Sequence, residues 1–418
     1  MKRRTFLQLL GASAIARPLW AAVKHTEQYF IFIHAAGGWD VTLWADPRNE
    51  RQGLVEPAST DNTDLAGLTH WKRAALDGDT DTFEILAPSD VPMTFGPGIG
   101  DLYDLRDRLT IVNGLAMNTV SHPDGTCFSA TGRHLAGGRA PASSIDVAIA
   151  NELGTSQLLP DVSIQFPSAY VGDALDRRAI PLRVPSAATI AKSLARSDAY
   201  FTEDDRASIT ALLTDEAHAL ARHSTFPETY ERIAAQEDAL PKLLGEKLKA
   251  SFTPKALTDA YPQLQKALGA AFAVEAIKRN LVRVVSFALG GLDTHNQNYK
   301  FHARTQQELF GTVATLVKLL DDARLSDRTH ILVFSDFCRT PQINLAGGRD
   351  HYPNNSALVI SPRFKRGRVF GKTDHEQLLP AGDKPYSPPD LLATFLAAFQ
   401  IEPRRYLRDG EVIREMLA

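Results

Sequence analysis

Residues 282–336 change their periodicity twice, and that constrains the fold more than any other feature of the chain. "VRVVSFALGG" (Val282 to Gly291) is an apolar, β-branched run that stops at two glycines. "TQQELFGTVATLVKLLDDARL" (Thr305 to Leu325) spaces its apolar residues three and four apart, which gives a helix one apolar face. "THILVFSD" (Thr329 to Asp336) is a buried strand again. Strand, amphipathic helix and strand at this spacing imply a right-handed crossover between parallel strands. A parallel sheet is covered on both faces, so the expected fold class is α/β, a central mostly parallel sheet with helices on both sides.

Other segments fit that frame. "QYFIFIHAAGGWD" (Gln28 to Asp40) is a buried strand leading into a glycine turn and an acid, and "RLTIVNGLA" (Arg108 to Ala116) is a second strand. "SSIDVAIANEL" starts a helix after a serine cap, "SALVIS" adds a strand, and "SPPDLLATFLAAFQI" makes a last helix after paired prolines. Residues 45–100 are rich in Pro, Gly, Asp and Thr without a sustained period, as expected of a surface cover. Residues 186–280 are rich in alanine, leucine and charge at helical spacing, so a helical insertion is expected there. The domain assignment is an export signal at 1–22 and a single α/β domain at 23–418 carrying that insertion.

The export assignment rests on "MKRRTFLQLLGASAIA". It has a basic start, a short apolar run and small residues at its end. The run is too short to span a bilayer. The Arg3-Arg4 pair followed by Thr-Phe-Leu resembles a twin-arginine signal, which implies the twin-arginine export machinery as a partner and a periplasmic location. No transmembrane segment is expected once the signal is removed. A net charge of −3 leaves no basic surplus for nucleic acid. The two cysteines, Cys127 and Cys338, are too few for a disulfide scaffold. They are expected either to pair in an oxidising compartment or to stay buried and free.

In a sheet of this kind ligands gather at the carboxyl ends of the strands, and four polar clusters fall there. They are His34 with Asp40, the loop "SHPDGTCFSATG" (Ser121 to Gly132), Asp293 with His295 in "LDTHNQN", and Asp336 with Arg339, Asp350 and His351. Carboxylates and imidazoles converging from separate strands suit a divalent cation such as zinc or manganese. Taken singly, an aspartate after a strand often caps a loop. His34, inside an apolar run, is expected to be a satisfied core histidine, and His302 and His330 to be ordinary surface or strand residues.

"GGWD", "LDTHNQN", "SDFCRTPQINLAGGRDHYP" and "PPDLLATFLAAFQIEP" resemble the domain-of-unknown-function family 1501, placed with the alkaline phosphatase and sulfatase superfamily. That resemblance implies an alkaline-phosphatase-like fold and metal-assisted hydrolysis of phosphate or sulfate esters with one or two ions. It implies Asp293, His295 and His351 as ligands of one metal and Asp336 at another, with Asp40 a weaker candidate for a shared acid. Two departures stand out. The position after the strand-end aspartate, commonly histidine in two-metal members, is Phe337, so a second ion is either lost or completed by Asp350 or water. His122 falls at the place of the nucleophilic serine, and Ser121, Thr126 or water held by the metal are the other candidate attackers. Arg339 or Arg349 would steady the anion, or else pair with neighbouring acids.

Three functions are therefore expected in order: an exported metal-dependent hydrolase of a small or polymeric anionic ester, a non-catalytic exported binding protein that keeps the fold, and a carrier or maturation factor for a redox enzyme.

Overall fold

The computed structural model describes residues 27–48, 67–70, 73–75, 81–157, 159–172, 174–189, 208, 211 and 251–418. Its strands, in chain order, are β1 (Tyr29–Ala35), β2 (Arg73–Ala75), β3 (Asp81–Phe83), β4 (Leu109–Ala116), β5 (Leu159–Ile164), β6 (Leu182–Val184), β7 (Val282–Leu289), β8 (Thr329–Ser335), β9 (Cys338–Arg339), β10 (His351–Tyr352), β11 (Asn354–Ile360) and β12 (Arg368–Phe370). The α-helices are α1 (His122–Thr131), α2 (Ile145–Ile149), α3 (Pro254–Ala260), α4 (Leu268–Lys278), α5 (Ala303–Asp322) and α6 (Pro388–Ala398).

Eight strands form one sheet in the order β12-β4-β11-β8-β1-β7-β5-β6. All neighbours are parallel except β11, which opposes both β8 and β4. The expected α/β class, with a mostly parallel sheet, is the one observed. Every residue of β1 is buried. Its alternation sends Tyr29, Ile31 and Ile33 to one core and Phe30 and Phe32 to the other. Helices α4 and α5 cover the first face, and α1, α2 and α6 cover the second. Each large apolar side chain so enclosed contributes roughly 1.5–3 kcal/mol. Helix α6 starts where its sequence dictates: Ser387 and Asp390 form a reciprocal capping box, with proline in the first turn.

The reversal of β11 matters for the site. The carboxyl ends of β1, β4, β7 and β8 share one rim of the sheet, and an antiparallel strand brings its beginning to that rim. His351, just before β11, thereby reaches the ends of strands that run the other way.

Several expectations are corrected here. "SHPDGTCFSATG" is a helix from His122 rather than a loop, closed by Gly132 in the left-handed conformation. In the segment expected to be surface cover, residues 45–100, Ala45, Met93, Phe95 and Ile99 are buried in the core. Cys127 and Cys338 are both free and buried. The expected export signal, and residues 190–250 of the expected insertion apart from 208 and 211, lie outside the described residues; the remainder of that insertion carries α3 and α4. Among the described residues, no helix is long and apolar enough to cross a membrane.

Candidate metal centre

The stretch between β8 and β11 folds back on itself. β9 and β10 pair antiparallel, with His351 opposite Arg339 and Tyr352 opposite Cys338. Gly348 permits this loop to press on its neighbour, since a Cβ there would meet the His295 backbone carbon at 2.0 Å. Helix α1 is seated just as closely: a Cβ on Gly125 would lie 2.3 Å from the Asp336 carbonyl oxygen. The two close approaches bring together side chains from α1, from the loop after β7 and from the turn before β11.

Four donor atoms converge there. His122 Nε2 is 3.1 Å from His351 Nε2, which is 3.0 Å from His295 Nε2. Asp293 Oδ1 lies 3.3 Å from His122 Nε2, 3.1 Å from His295 Nε2 and 3.8 Å from His351 Nε2. Ligand atoms of His122, Asp293 and His351 all fall within 4.8 Å of one another.

The opposite nitrogen of each ring fixes its tautomer. His122 Nδ1 faces Asp336 Oδ2 at 2.7 Å, His295 Nδ1 faces Asp350 Oδ1 at 3.0 Å, and His351 Nδ1 faces the Val120 carbonyl at 2.7 Å. Carboxylates and carbonyls only accept, so each Nδ1 carries the proton and each Nε2 presents a lone pair. Arg339 offsets part of the repulsion among these atoms, with Nη1 at 3.4 Å from His295 Nε2 and Nη2 donating to Asp293 Oδ1 at 2.7 Å, and leaves the Nε2 atoms of His122 and His351 turned toward each other at 3.1 Å. Donors about 2.1 Å from one divalent ion stand roughly 3–4 Å apart, as those of His122, Asp293 and His351 do here, while His295 Nε2 lies beside His351 and Asp293 but outside that three-residue group. The donor set therefore fits a divalent cation, with outer oxygen partners of the kind that orient metal-binding histidines.

Asp336 sits behind this group. It is buried and accepts from His34 Nε2, from the Gly37 amide at 3.0 Å, from His122 Nδ1 at 2.7 Å and from the Thr126 hydroxyl at 2.9 Å. Burial alone would raise its pKa, but the hydrogen bonds from His122, His34 and Thr126 outweigh it and hold the carboxyl well below its ordinary range. The bond to Asp336 in turn pushes His122 up. His351 is pushed down, first by partial burial and then by the neighbouring His122, Arg339 and His295. Asp293 is lowered because the Arg339 hydrogen bond and the nearby histidines outweigh its partial burial. Asp350 is lowered chiefly by His295.

Of the expected ligands, Asp293, His295 and His351 meet. Asp336 and Asp350 are placed behind histidines rather than among the donors. Asp40 does not join: its carboxylate is fully buried against Arg349 Nε at 3.0 Å, Asn298 Nδ2 at 2.8 Å and the Thr42 hydroxyl at 2.6 Å.

The expected attackers are placed differently as well. His122 turns its Nε2 onto the donor cluster. Thr126 gives its hydroxyl proton to Asp336. Ser121 is exposed at the start of α1, where its hydroxyl makes no capping bond.

Both arginines are spent inside the protein and do not reach out to an anion. Arg339 is fully buried; it donates to the carbonyls of Gly37, Gly38, Leu292 and Arg349 and to Asp293 Oδ1 at 2.7 Å. Arg349, also fully buried, holds Asp40, the carbonyls of Thr340 and Pro341, and the Tyr299 hydroxyl.

His34, expected at a strand end and as a satisfied core histidine, is buried at the end of β1 and bonds Asp336. It is the penultimate residue of β1 and pairs with Phe334 of β8, two residues from Asp336. Phe337 fills the place where a second metal's histidine was in question. Its ring is fully buried, with centroids 4.7 Å from His122 and 4.6 Å from His351.

The sequence matches a model of a protein family of unknown function, DUF1501, over residues 30–411. No curated protein matches it. Similar solved structures include Ps i-CgsB in complex with k-i-k-neocarrahexaose, at 13% identity over 92% of this chain and 74% of that one, with a TM-score of 0.37. The PsFucS1 sulfatase from Pseudoalteromonas sp. is 11% identical over 99% and 75%, with a TM-score of 0.35. The lipoteichoic acid synthase LtaP from Listeria monocytogenes is 10% identical over 90% and 72%, with a TM-score of 0.30. The family match encloses all four converging donors, and the chain belongs to the family of proteins of unknown function DUF1501.

Proposed function

We propose that the chain is a divalent-metal-dependent hydrolase of a phosphate or sulfate ester. The observation that carries this reading is the convergence of three imidazole Nε2 atoms and one carboxylate oxygen from three separate segments. His122, His295, His351 and Asp293 would hold the ion. When bound, a divalent cation supplies Lewis acidity, drawing charge from an ester oxygen at neutral pH.

The protein's own residues do the rest. Asp336, Asp350 and the Val120 carbonyl keep the three rings aimed, and Arg339 pins Asp293. Phe337 closes the inner side of the cluster against water. The outer side is open, because Asp293, His295 and Asp350 are exposed, and that is where an ester enters. The bare site repels such a ligand: its exposed carboxylates are negative, and the nearby guanidinium of Arg339 is buried and engaged. An anionic substrate therefore requires the cation for binding as well as for chemistry. The basic start and short apolar run of residues 1–22 support export through the twin-arginine machinery to the periplasm.

The test is elemental analysis of untagged protein together with hydrolysis of aryl phosphates and aryl sulfates before and after chelation. Roughly one or two divalent ions per chain and chelator-sensitive turnover are expected. Metal-free protein that turns over the same esters would sink the proposal.

A second reading, a metal-holding but non-catalytic binding protein, is favoured by one observation: the full engagement of Arg339 and Arg349 by the protein leaves neither for a transition-state anion. Bound metal with no turnover across the ester panel would select it.

A further inference from the structure

We infer that this centre holds a single cation and that Asp336, the expected second-metal ligand, is instead a positioning residue whose carboxylate is already saturated. The inference rests on the metal-site reading above and deepens it.

A carboxylate offers about four lone-pair positions. Around Asp336 all four are taken, two on each oxygen. Oδ1 accepts from His34 Nε2 and from the Thr126 hydroxyl at 2.9 Å. Oδ2 accepts from the Gly37 amide at 3.0 Å and from His122 Nδ1 at 2.7 Å. A second ion at Asp336 would have to displace at least one of these donors. Losing His122 Nδ1–H would release the ring whose other nitrogen belongs to the first ion. Losing the Gly37 amide contact would leave a half-buried N–H without its acceptor.

The neighbouring position closes the alternative. A second ion at Asp336 would have to take its nitrogen donors from His34 and His122, which are already bonded to that carboxylate, because the residue after Asp336 is the phenyl ring of Phe337, fully buried against His122 and His351. Asp350, the other candidate to complete such a site, is turned to His295 and Asn344, at 3.0 and 3.1 Å. Asp40 is committed to Arg349. Among the described residues, one cluster of metal-ligating side chains meets the spacing an ion requires, and Asp336 is outside it.

The chain His34–Asp336–His122 thus acts on the ion only through His122. Partners of this kind typically change metal affinity by about 10–100-fold without changing how many ions bind. Zinc titration and elemental analysis of the untagged full chain provide the test. One ion per chain supports the inference. Two ions overturn it, and none overturns the metal-site reading itself, so the two failures are distinguishable.

Asp336→Asn should still bind one zinc ion, about 10–100-fold more weakly. Unchanged affinity would overturn the positioning role, and a fall from two ions to one would assign Asp336 to a second site. If that variant fails to fold, Thr126→Val removes one of the four donors at a partly exposed position. It should keep one ion per chain and weaken zinc binding by about 10-fold or less; a lost ion would count against the inference in the same way.

Discussion

Two acid-rich clusters lie in this sheet, and they resolve their charge in opposite ways. At the rim, the carboxylates of Asp336 and Asp350 each meet an imidazole Nδ1, and the Nε2 atoms on the far side of those rings turn toward His351 and the Asp293 carboxylate across a gap open to solvent. Deeper in, Asp146 and Asp161 are at most 1% exposed and have no imidazole. Asp146 accepts from the hydroxyls of Ser144 and Ser168, with Ser286 at 3.4 Å. Neither oxygen of Asp161 accepts a hydrogen bond, and the group faces Asp146. Burial first, and then the Asp146 charge, push the Asp161 carboxyl well above its ordinary range. The inner cluster becomes neutral by keeping a proton. At the rim, three Nδ1 positions face oxygen acceptors, and the nitrogens opposite them gather around the Asp293 carboxylate, which Arg339 holds. A cluster of acids becomes a site when its outer partners leave lone pairs facing a shared, accessible gap.

The largest effect expected from breaking this contrast is at His351. His351→Ala removes one of four donors outright, and the loss in metal affinity should exceed the roughly 100-fold upper range for outer partners. Elemental analysis should find the variant nearly free of metal under conditions that load the wild type. Full metal content in His351→Ala would show that the gap is not where the ion sits.

Next in size is the wall of the rim cluster. Phe337→Ala opens a cavity between two imidazoles in a place with no room to collapse, so a loss of about 3–5 kcal/mol of folding stability is expected. Denaturant unfolding measures it directly. A change under about 1 kcal/mol would mean the ring is a bystander rather than the support of His122 and His351.

Much of the rim was legible in the sequence, because strand ends in a parallel sheet announce where polar residues gather. Asp293, His295 and His351 were found from their positions after apolar runs. The roles of Asp40 and Asp350 were not, since a ligand and a partner of a ligand have the same residue type and differ only in which atom they face. His34 was legible as a satisfied core histidine at a strand end, but not that its partner would be Asp336. His302 was expected to be ordinary, yet it is fully buried and takes the Asp40 amide at 2.9 Å; desolvation pushes it down to about 4. The helical nature of α1 was missed because glycine, proline and threonine in "SHPDGTCFSATG" favour turns, and tertiary seating against Asp336 overrode them. β5, β6 and β12 are short, and no alternation in "LPDVSI" marked a strand. Antiparallel β11 left no trace in its own residues, since a fully buried strand has the same composition in either direction.

The inner cluster supplies the third test, through pH. The unfolded Asp161 carboxyl titrates near its ordinary value, while the folded one holds its proton to much higher pH. Between the two the native state binds more protons, so stability falls as pH rises above about 4, at up to about 1.4 kcal/mol per pH unit. Asp161→Asn removes this slope and should be more stable than wild type near pH 7, by about 1–3 kcal/mol. Unfolding midpoints for both proteins across pH 5–8 decide it, and parallel curves would mean that Asp161 is ionised and otherwise satisfied.

The smallest effect is expected at Asp350, and it separates the two rim carboxylates that lie behind histidines. Asp336 is sealed and four-fold bonded, whereas Asp350 is exposed and shares its Oδ1 between His295 and Asn344. Water can replace an exposed acceptor, so Asp350→Ala should weaken metal binding by no more than about 10-fold, the low end of the range for outer partners. It should leave the ion count and the folding midpoint unchanged. The loss should also shrink with added salt, because an exposed carboxylate acts on the cation through screened charge, whereas the Asp336 effect should not. A salt-insensitive loss larger than that of Asp336→Asn would reverse the ranking and make Asp350, rather than Asp336, the residue that aims the site.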